Sequence, residues 1–210
     1  MSLKMTKLIS LFTTIFLMGC SLVGIRTAEE PHYQVLQDYG NIQIRQYPPI
    51  LIAQTEITGN YDNSGNQGFR RLAGYIFGKN QSQQQITMTT PVIQEKQSAE
   101  QIAMTAPVLQ QQFGDKWYMA FVLPNNYTLA TAPIPNDSAI KLVEMPSKKL
   151  AVLSYTGVIS EQSIKEKSIE LQSWLTQQKY TMINPAQSAA YDPPWTLPFL
   201  RRNEIHIEIK

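Results

Sequence analysis

Acid–base and nucleophilic chemistry have little to draw on in this chain, which carries two histidines, His32 and His206, and one cysteine, Cys20. A serine nucleophile would need one of those imidazoles within hydrogen-bond reach, and no strained Gly-x-Ser-x-Gly elbow is present. His206 lies between Ile205 and Ile207 in an alternating run, on the side opposite the isoleucines, which predicts a solvated or partner-facing imidazole; His32 lies just ahead of the first strand-like segment. No His/Cys cluster stands at zinc spacing, and the acidic residues are scattered without a calcium-loop pattern. Since no residue set supplies acid, base and electrophile together, these residues point to a binding protein and not to an enzyme.

Two denser constellations remain. The first runs Tyr191-Asp-Pro-Pro-Trp195, Thr196-Leu-Pro-Phe-Leu200, Arg201-Arg202-Asn203-Glu204. Its paired prolines fix an extended turn, and Arg201 or Arg202 with Asp192 or Glu204 would supply ion pairs that pin the loop to a sheet. Alternatively Tyr191, Trp195 and Phe199 form one rim of an apolar cleft with guanidinium groups at its mouth, suited to a flat, apolar, anionic ligand. The second is a phrase written twice, Ile86-Thr-Met-Thr-Thr-Pro-Val-Ile-Gln94 and Ile102-Ala-Met-Thr-Ala-Pro-Val-Leu-Gln110. Each copy alternates large with small or hydroxylated side chains and predicts a strand that stops at its proline, with Met88 and Met104 lining an apolar wall.

The elements that must position these residues are mostly strands. Ile42 to Tyr47, a turn at Pro48-Pro49, and Ile50 to Ile57 ending at Thr58-Gly59 predict a hairpin after a short lead-in from Tyr33. Phe69, Leu72, Ala73, Ile76 and Phe77 then recur at three- and four-residue steps, the apolar face of a helix that stops near Gly78. The second half repeats the plan. Ile42, Ile44, Pro48, Ala53, Thr58 and Gly59 correspond to Ile140, Leu142, Pro146, Ala151, Thr156 and Gly157, and a second helix follows with Ile164, Leu171, Trp174 and Leu175 on one face. Trp117 to Leu123 and Asn203 to Ile209 add strands. The expected architecture is α+β: an internally duplicated, antiparallel sheet, curved or closed into a distorted eight-stranded barrel, flanked by two helices.

Length and charge bound the rest. A chain of 210 residues with a net charge of +2 and 16% charged residues fits one duplicated domain, and it lacks the basic tract that tracks phosphates, so no nucleic-acid partner is expected. Lys4 and Lys7 precede the short apolar run Leu8 to Leu17, the pattern of an export signal. Leu17-Met-Gly-Cys20 resembles a bacterial lipobox, which implies cleavage after residue 19, acylation of Cys20 and anchoring to a membrane. Ser21 after the cysteine resembles lipoproteins sorted to the outer membrane, facing the periplasm. The expected division is a signal peptide over 1–19, an acylated cysteine and linker over 20–31, and one domain over 32–210 with pseudo-repeats of about 33–110 and 117–210. A lone cysteine excludes internal disulfides.

In order, YGNIQIRQYPPILIAQTEI, GFRRLAGYIFGKN, ITMTTPV, IAMTAPV, FVLP with YTL, and YDPPWTLPFLRRNE resemble the SOUL family of haem-binding proteins, over nearly everything from Tyr33 to Lys210. The resemblance implies the same duplicated fold, shared with effector-binding domains of some transcription regulators. It implies reversible, non-covalent binding of haem or another tetrapyrrole without turnover, by a carrier, buffer or scavenger. Carried over, the haem-binding residues are Phe69, Leu72 and Ala73 on the first helix and Tyr191 of the YDPP phrase, with Arg70 and Arg71 nearest to the propionates. Haem iron usually takes His, Met, Cys or Tyr, and no histidine falls on that helix, so the implied site has no fixed axial ligand. The other reading open at this point is a general module for apolar ligands or protein partners.

Overall fold

A computed structural model describes residues 28–83 and 99–210. The export signal, Cys20 and the first phrase, Ile86 to Gln94 with Met88, lie outside the described residues. Eleven strands and two α-helices follow in chain order: β1 (Gln34–Asp38), β2 (Ile42–Tyr47), β3 (Ile50–Thr58), α1 (Tyr61–Ile76), β4 (Asn80–Gln81), β5 (Val108–Phe113), β6 (Lys116–Val122), β7 (Ile134–Pro135), β8 (Ile140–Met145), β9 (Lys148–Tyr155), α2 (Glu161–Gln177), β10 (Gln187–Ala190) and β11 (Asn203–Glu208). Nine of them form one antiparallel sheet in the order β1-β2-β9-β11-β10-β5-β6-β3-β8, and β4 pairs with β7 as a separate ribbon. Among the described residues the sheet is a curled half-barrel that ends at β1 and β8, not a closed eight-stranded barrel.

The expected hairpins do not form. β2 pairs with β9, and β3 pairs with β8, so each proline turn carries the chain from one end of the sheet to the other. The cause is local. A two-residue hairpin turn needs positive φ at its first central position, and proline is locked near −65°, so Pro48-Pro49 and Pro146-Ser147 act as corners. The symmetry survives the correction. With the constant offset of 98 residues (Ile140 against Ile42), the pair Ala53–Leu142 becomes Ala151–Ile44, which is the pair observed. Gly59 and Gly157 both take positive φ, 131° and 115°, at the matched ends of β3 and β9.

Set aside β1, and the strand order reads the same from either end when β2, β3, β5 and β6 are matched with β8, β9, β10 and β11. The repeating unit is therefore β-β-α-β-β, and β6, which carries Trp117, closes the first unit and does not open the second. Strand β5 begins after Pro107, where the second phrase was expected to stop. Ile102 to Pro107 form no strand, because Pro107 has no amide to lend to a ladder and the pairing with β6 and β10 starts at Val108. Met104 is exposed and lines no wall.

Both helices pack on one face of the sheet. Helix α1, capped by Asn60, whose side chain accepts from the Asn63 amide at 2.9 Å, buries Gly68, Leu72, Tyr75 and Ile76 over Ala53, Ile57, Met119 and Phe121. Helix α2 opens with a capping box between Ser160 and Ser163 and lays Leu171 and Leu175 over Ile44, Ala151, Leu153, Ile205 and Ile207. The alternate residues of the same strands, among them Ile52, Leu109, Ala120, Val122 and Ala189, form a third core cluster on the other face with Tyr191.

Candidate functional site

That other face is concave. One cleft, open on one side, is lined from the middle and from both halves of the sheet, by residues including Ile52, Leu109, Val122, Met145, Leu150 and Tyr191. Prolines frame it: Pro31 from the N-terminal segment, Pro48 and Pro146 from the two corners, Pro107 before β5 and Pro185 before β10. These rings present apolar surface and no amide donor, so the walls demand little hydrogen bonding from a guest. Among the polar residues of the lining, Lys148 pairs with Glu208 at 2.8 Å and Asn184 donates to the same carboxylate at 2.7 Å.

Beneath the cleft lies a charged network that the alternation of β11 aims inward. Glu204 is fully buried and receives Arg45 at 3.1 Å, Arg202 at 2.8 Å, the Tyr191 hydroxyl at 2.8 Å and Ser154 at 3.2 Å; His206 Nε2 lies 2.8 Å from the same carboxylate. Burial works to raise its pKa. The hydrogen bond from His206 and the charges of His206, Arg45 and Arg202 outweigh burial and hold the carboxyl well below the usual range. Burial, reinforced by the Glu204 charge, pushes the Tyr191 phenol well above its ordinary value, so it remains a hydrogen-bond donor. Tyr47, which accepts from Arg45 at 3.3 Å, is pushed up to about 12 by burial. Cation–π contacts complete the network, Arg202 over Tyr191 at 3.9 Å and Arg45 over Tyr33 at 4.3 Å.

His206 is therefore not a surface residue. It lies on the side opposite the isoleucines, as its spacing predicts, but that side is the interior of the half-barrel, where it is buried and lines the cleft. Of the residues the resemblance marks, only Tyr191 lines this cleft. Phe69, Arg70, Arg71, Leu72 and Ala73 belong to α1, across the sheet. Leu72 is fully buried, Phe69 stacks edge-on against Phe121, and Arg71 bonds Thr55 Oγ1 at 2.8 Å and Asp137 at 3.1 Å. Arg70 is exposed. Trp195 and Phe199 do not rim the cleft; both point outward. Arg202 pairs with Glu204, as the loop-pinning reading expects, whereas Arg201 bonds the Thr196 carbonyl at 2.7 Å and the Pro194 carbonyl.

The residues that sequence reasoning missed are Arg45, which shares the Glu204 carboxylate with Arg202, and the wall residues Tyr47, Leu109, Met145 and Leu150. A signal existed: Arg45 and Tyr47 share parity on β2 as Glu204 and His206 do on β11. Among the described residues no group of three His, Cys, Asp or Glu side chains comes together as a metal site.

A family model described as SOUL heme-binding protein matches residues 28–101 and 93–208. Heme-binding protein 1 of Xenopus laevis is 26% identical over 162 residues, 77% of this chain and 80% of that protein. Its counterpart in Xenopus tropicalis is 25% identical with the same coverage. Among solved structures, the C-terminal domain of EcmrR superposes with a TM-score of 0.56 at 13% identity, covering 85% of this chain and 98% of that one. A hydrolase from Listeria innocua gives 0.51 at 11% identity, over 87% and 93%. At such identities the structural likeness is one of fold.

Proposed function

This chain belongs to the SOUL heme-binding protein family, and on that premise we propose that it binds haem or a related tetrapyrrole, without turnover, in the concave cleft beside Tyr191. The observation that carries this reading is the cleft itself: an open, concave surface framed by prolines and aliphatic side chains, with Lys148 among its few charged groups. Burial of the macrocycle faces supplies the affinity, at roughly 25 cal/mol per Å² of apolar area before the costs of association. Lys148, which lines the cleft, would hold a propionate in exchange for its bond to Glu208. With Cys20 acylated, the protein acts as a membrane-anchored carrier, buffer or scavenger facing the periplasm of a bacterium.

The test is a haem titration followed by the Soret band. Met145→Trp fills the cleft from a half-buried wall position and is expected to abolish the stoichiometric shift, while Arg70→Glu on the exposed side of α1 leaves it intact. The opposite pair of results would move the ligand to the helix face with Phe69, Leu72 and Ala73. A second reading, a general module for apolar ligands, is favoured by one observation: the Tyr191 hydroxyl and His206 Nε2 are both committed to Glu204 and do not present themselves to a metal. Equal competition by fatty acid would decide for it.

A further inference from the structure

We propose that the proline loop between β10 and β11 is a membrane-docking surface whose partner is the lipid bilayer that holds the acylated N-terminus. Trp195, Leu197 and Phe199 are 63%, 42% and 69% exposed, while Thr196 between them is buried. The adjoining Val158 is 57% exposed, and Gly157 before it donates its amide to the Pro198 carbonyl at 2.8 Å. These side chains are held outward by a braced frame. The Arg202 amide donates to Asp192 at 2.6 Å, Arg201 holds the carbonyls of Pro194 and Thr196, and the Thr196 amide closes a turn on the Pro193 carbonyl at 3.0 Å. An exposed apolar cluster presented on a rigid loop marks an interaction surface, and Trp beside Phe and Leu is the composition that partitions to the headgroup boundary.

The position of the N-terminal segment selects the bilayer as partner. Glu30 is bonded to Arg202, at the base of this loop, at 3.0 Å, and Ala28 packs in the cluster that contains Tyr191. Cys20 lies eight residues before Ala28, so an anchor there holds Ala28 within roughly 28 Å of the lipid at full extension. The tether thus enters the domain beside the loop, and the end of the molecule drawn to the bilayer is the one that bears the exposed aromatics. Pro31 and Tyr191 line the cleft at this same end, which places it for exchange of an apolar guest with the membrane. The inference rests on the acylated-anchor part of the proposed function.

The experiment uses the protein expressed from its full reading frame, purified from membranes and reconstituted into phosphatidylcholine vesicles with or without brominated acyl chains. Trp117→Phe and Trp174→Phe leave Trp195 as the sole tryptophan, excited apart from the tyrosines at the red edge of the absorption band. The expected result is loss of Trp195 emission in brominated vesicles but not in plain ones, together with protection from aqueous iodide. Full iodide access with no bromine quenching overturns the proposal. Protection from iodide without bromine quenching also overturns it, assigning the loop to a second copy or another protein. Intact mass separately reports acylation of Cys20: an unacylated protein refutes the anchor, and quenching of that protein on added vesicles still decides the docking.

Discussion

Replacing Glu204 by glutamine tests whether the inward-facing charges beneath the cleft hold the half-barrel together. The carboxylate is fully buried and answers two guanidiniums, Arg45 at 3.1 Å, itself only 3% exposed, and Arg202 at 2.8 Å. Glutamine keeps the shape and removes the charge, leaving Arg45 buried without its counter-ion. Breaking a buried pair in this way costs about 3–5 kcal/mol. For a domain of this size each kcal/mol lowers Tm by about 2–4 °C, so the expected fall is about 6–20 °C. The acid side supplies a second readout. Because the folded-state pKa of Glu204 lies below its ordinary 4.5, its contribution is complete above that pH and is lost as pH falls further toward the folded value. Thermal melts by circular dichroism at pH 7 and along an acid series therefore show two things: Glu204→Gln melts lower at pH 7, and it loses less additional stability below pH 4.5 than the parent. Adding Arg45→Met to Glu204→Gln recovers part of the loss, since the buried charge is then gone. A fall of less than about 3 °C at pH 7, or identical acid slopes, refutes this account of the network.

Tyr191→Phe removes a buried donor from Glu204 but keeps the ring on the cleft wall; stability is expected to drop by about 1–3 kcal/mol in urea titrations while haem still shifts the Soret band. Lys148→Met is expected to weaken haem about fivefold, the equivalent of roughly 1 kcal/mol, and to leave the dimethyl ester of haem unaffected, as measured by parallel titrations. On α1 the glycines separate: a Cβ at Gly65 meets nothing within 4 Å, whereas one at Gly68 would lie 2.7 Å from Ile57 Cδ1 and 3.1 Å from Met119 Sδ. Gly65→Ala is therefore expected to raise stability by up to about 1 kcal/mol, and Gly68→Val to lower it by about 1–3 kcal/mol, both read from chemical denaturation.

The Tyr191→Phe and Lys148→Met variants also separate the two roles that the proposed function gives the concave face. Its deep layer is electrostatic and structural, because Glu204, Arg45 and Arg202 satisfy one another out of water. Its upper layer is apolar and available to a guest. A buried ionic layer adjoining an apolar cleft explains why Tyr191 serves both, donating its hydroxyl downward to Glu204 while its ring faces Arg202 and the wall.

Period and repetition were legible without coordinates. Strict alternation in Ile205-His-Ile-Glu-Ile209 placed the isoleucines on a shared face, three- and four-residue spacing placed Leu72 and Ile76 on a helix, and six matched positions at one offset exposed the doubled plan. These are local properties, set by backbone geometry and by which residues avoid water. Which strands pair was decided only in three dimensions. Pro48-Pro49 and Pro146-Ser147 look like turns in sequence; proline bars the two-residue hairpin locally, but which strands then lie beside β2 and β3 was set by assembly of the whole sheet. That same curl turned the face of His206 from an expected surface into an interior, which it shares with Arg45 and Glu204, and put α1 and Tyr191 on opposite sides of one sheet. Alternation tells a strand that it has two faces; only the curvature of the assembled sheet determines whether the second face meets water or encloses a cleft.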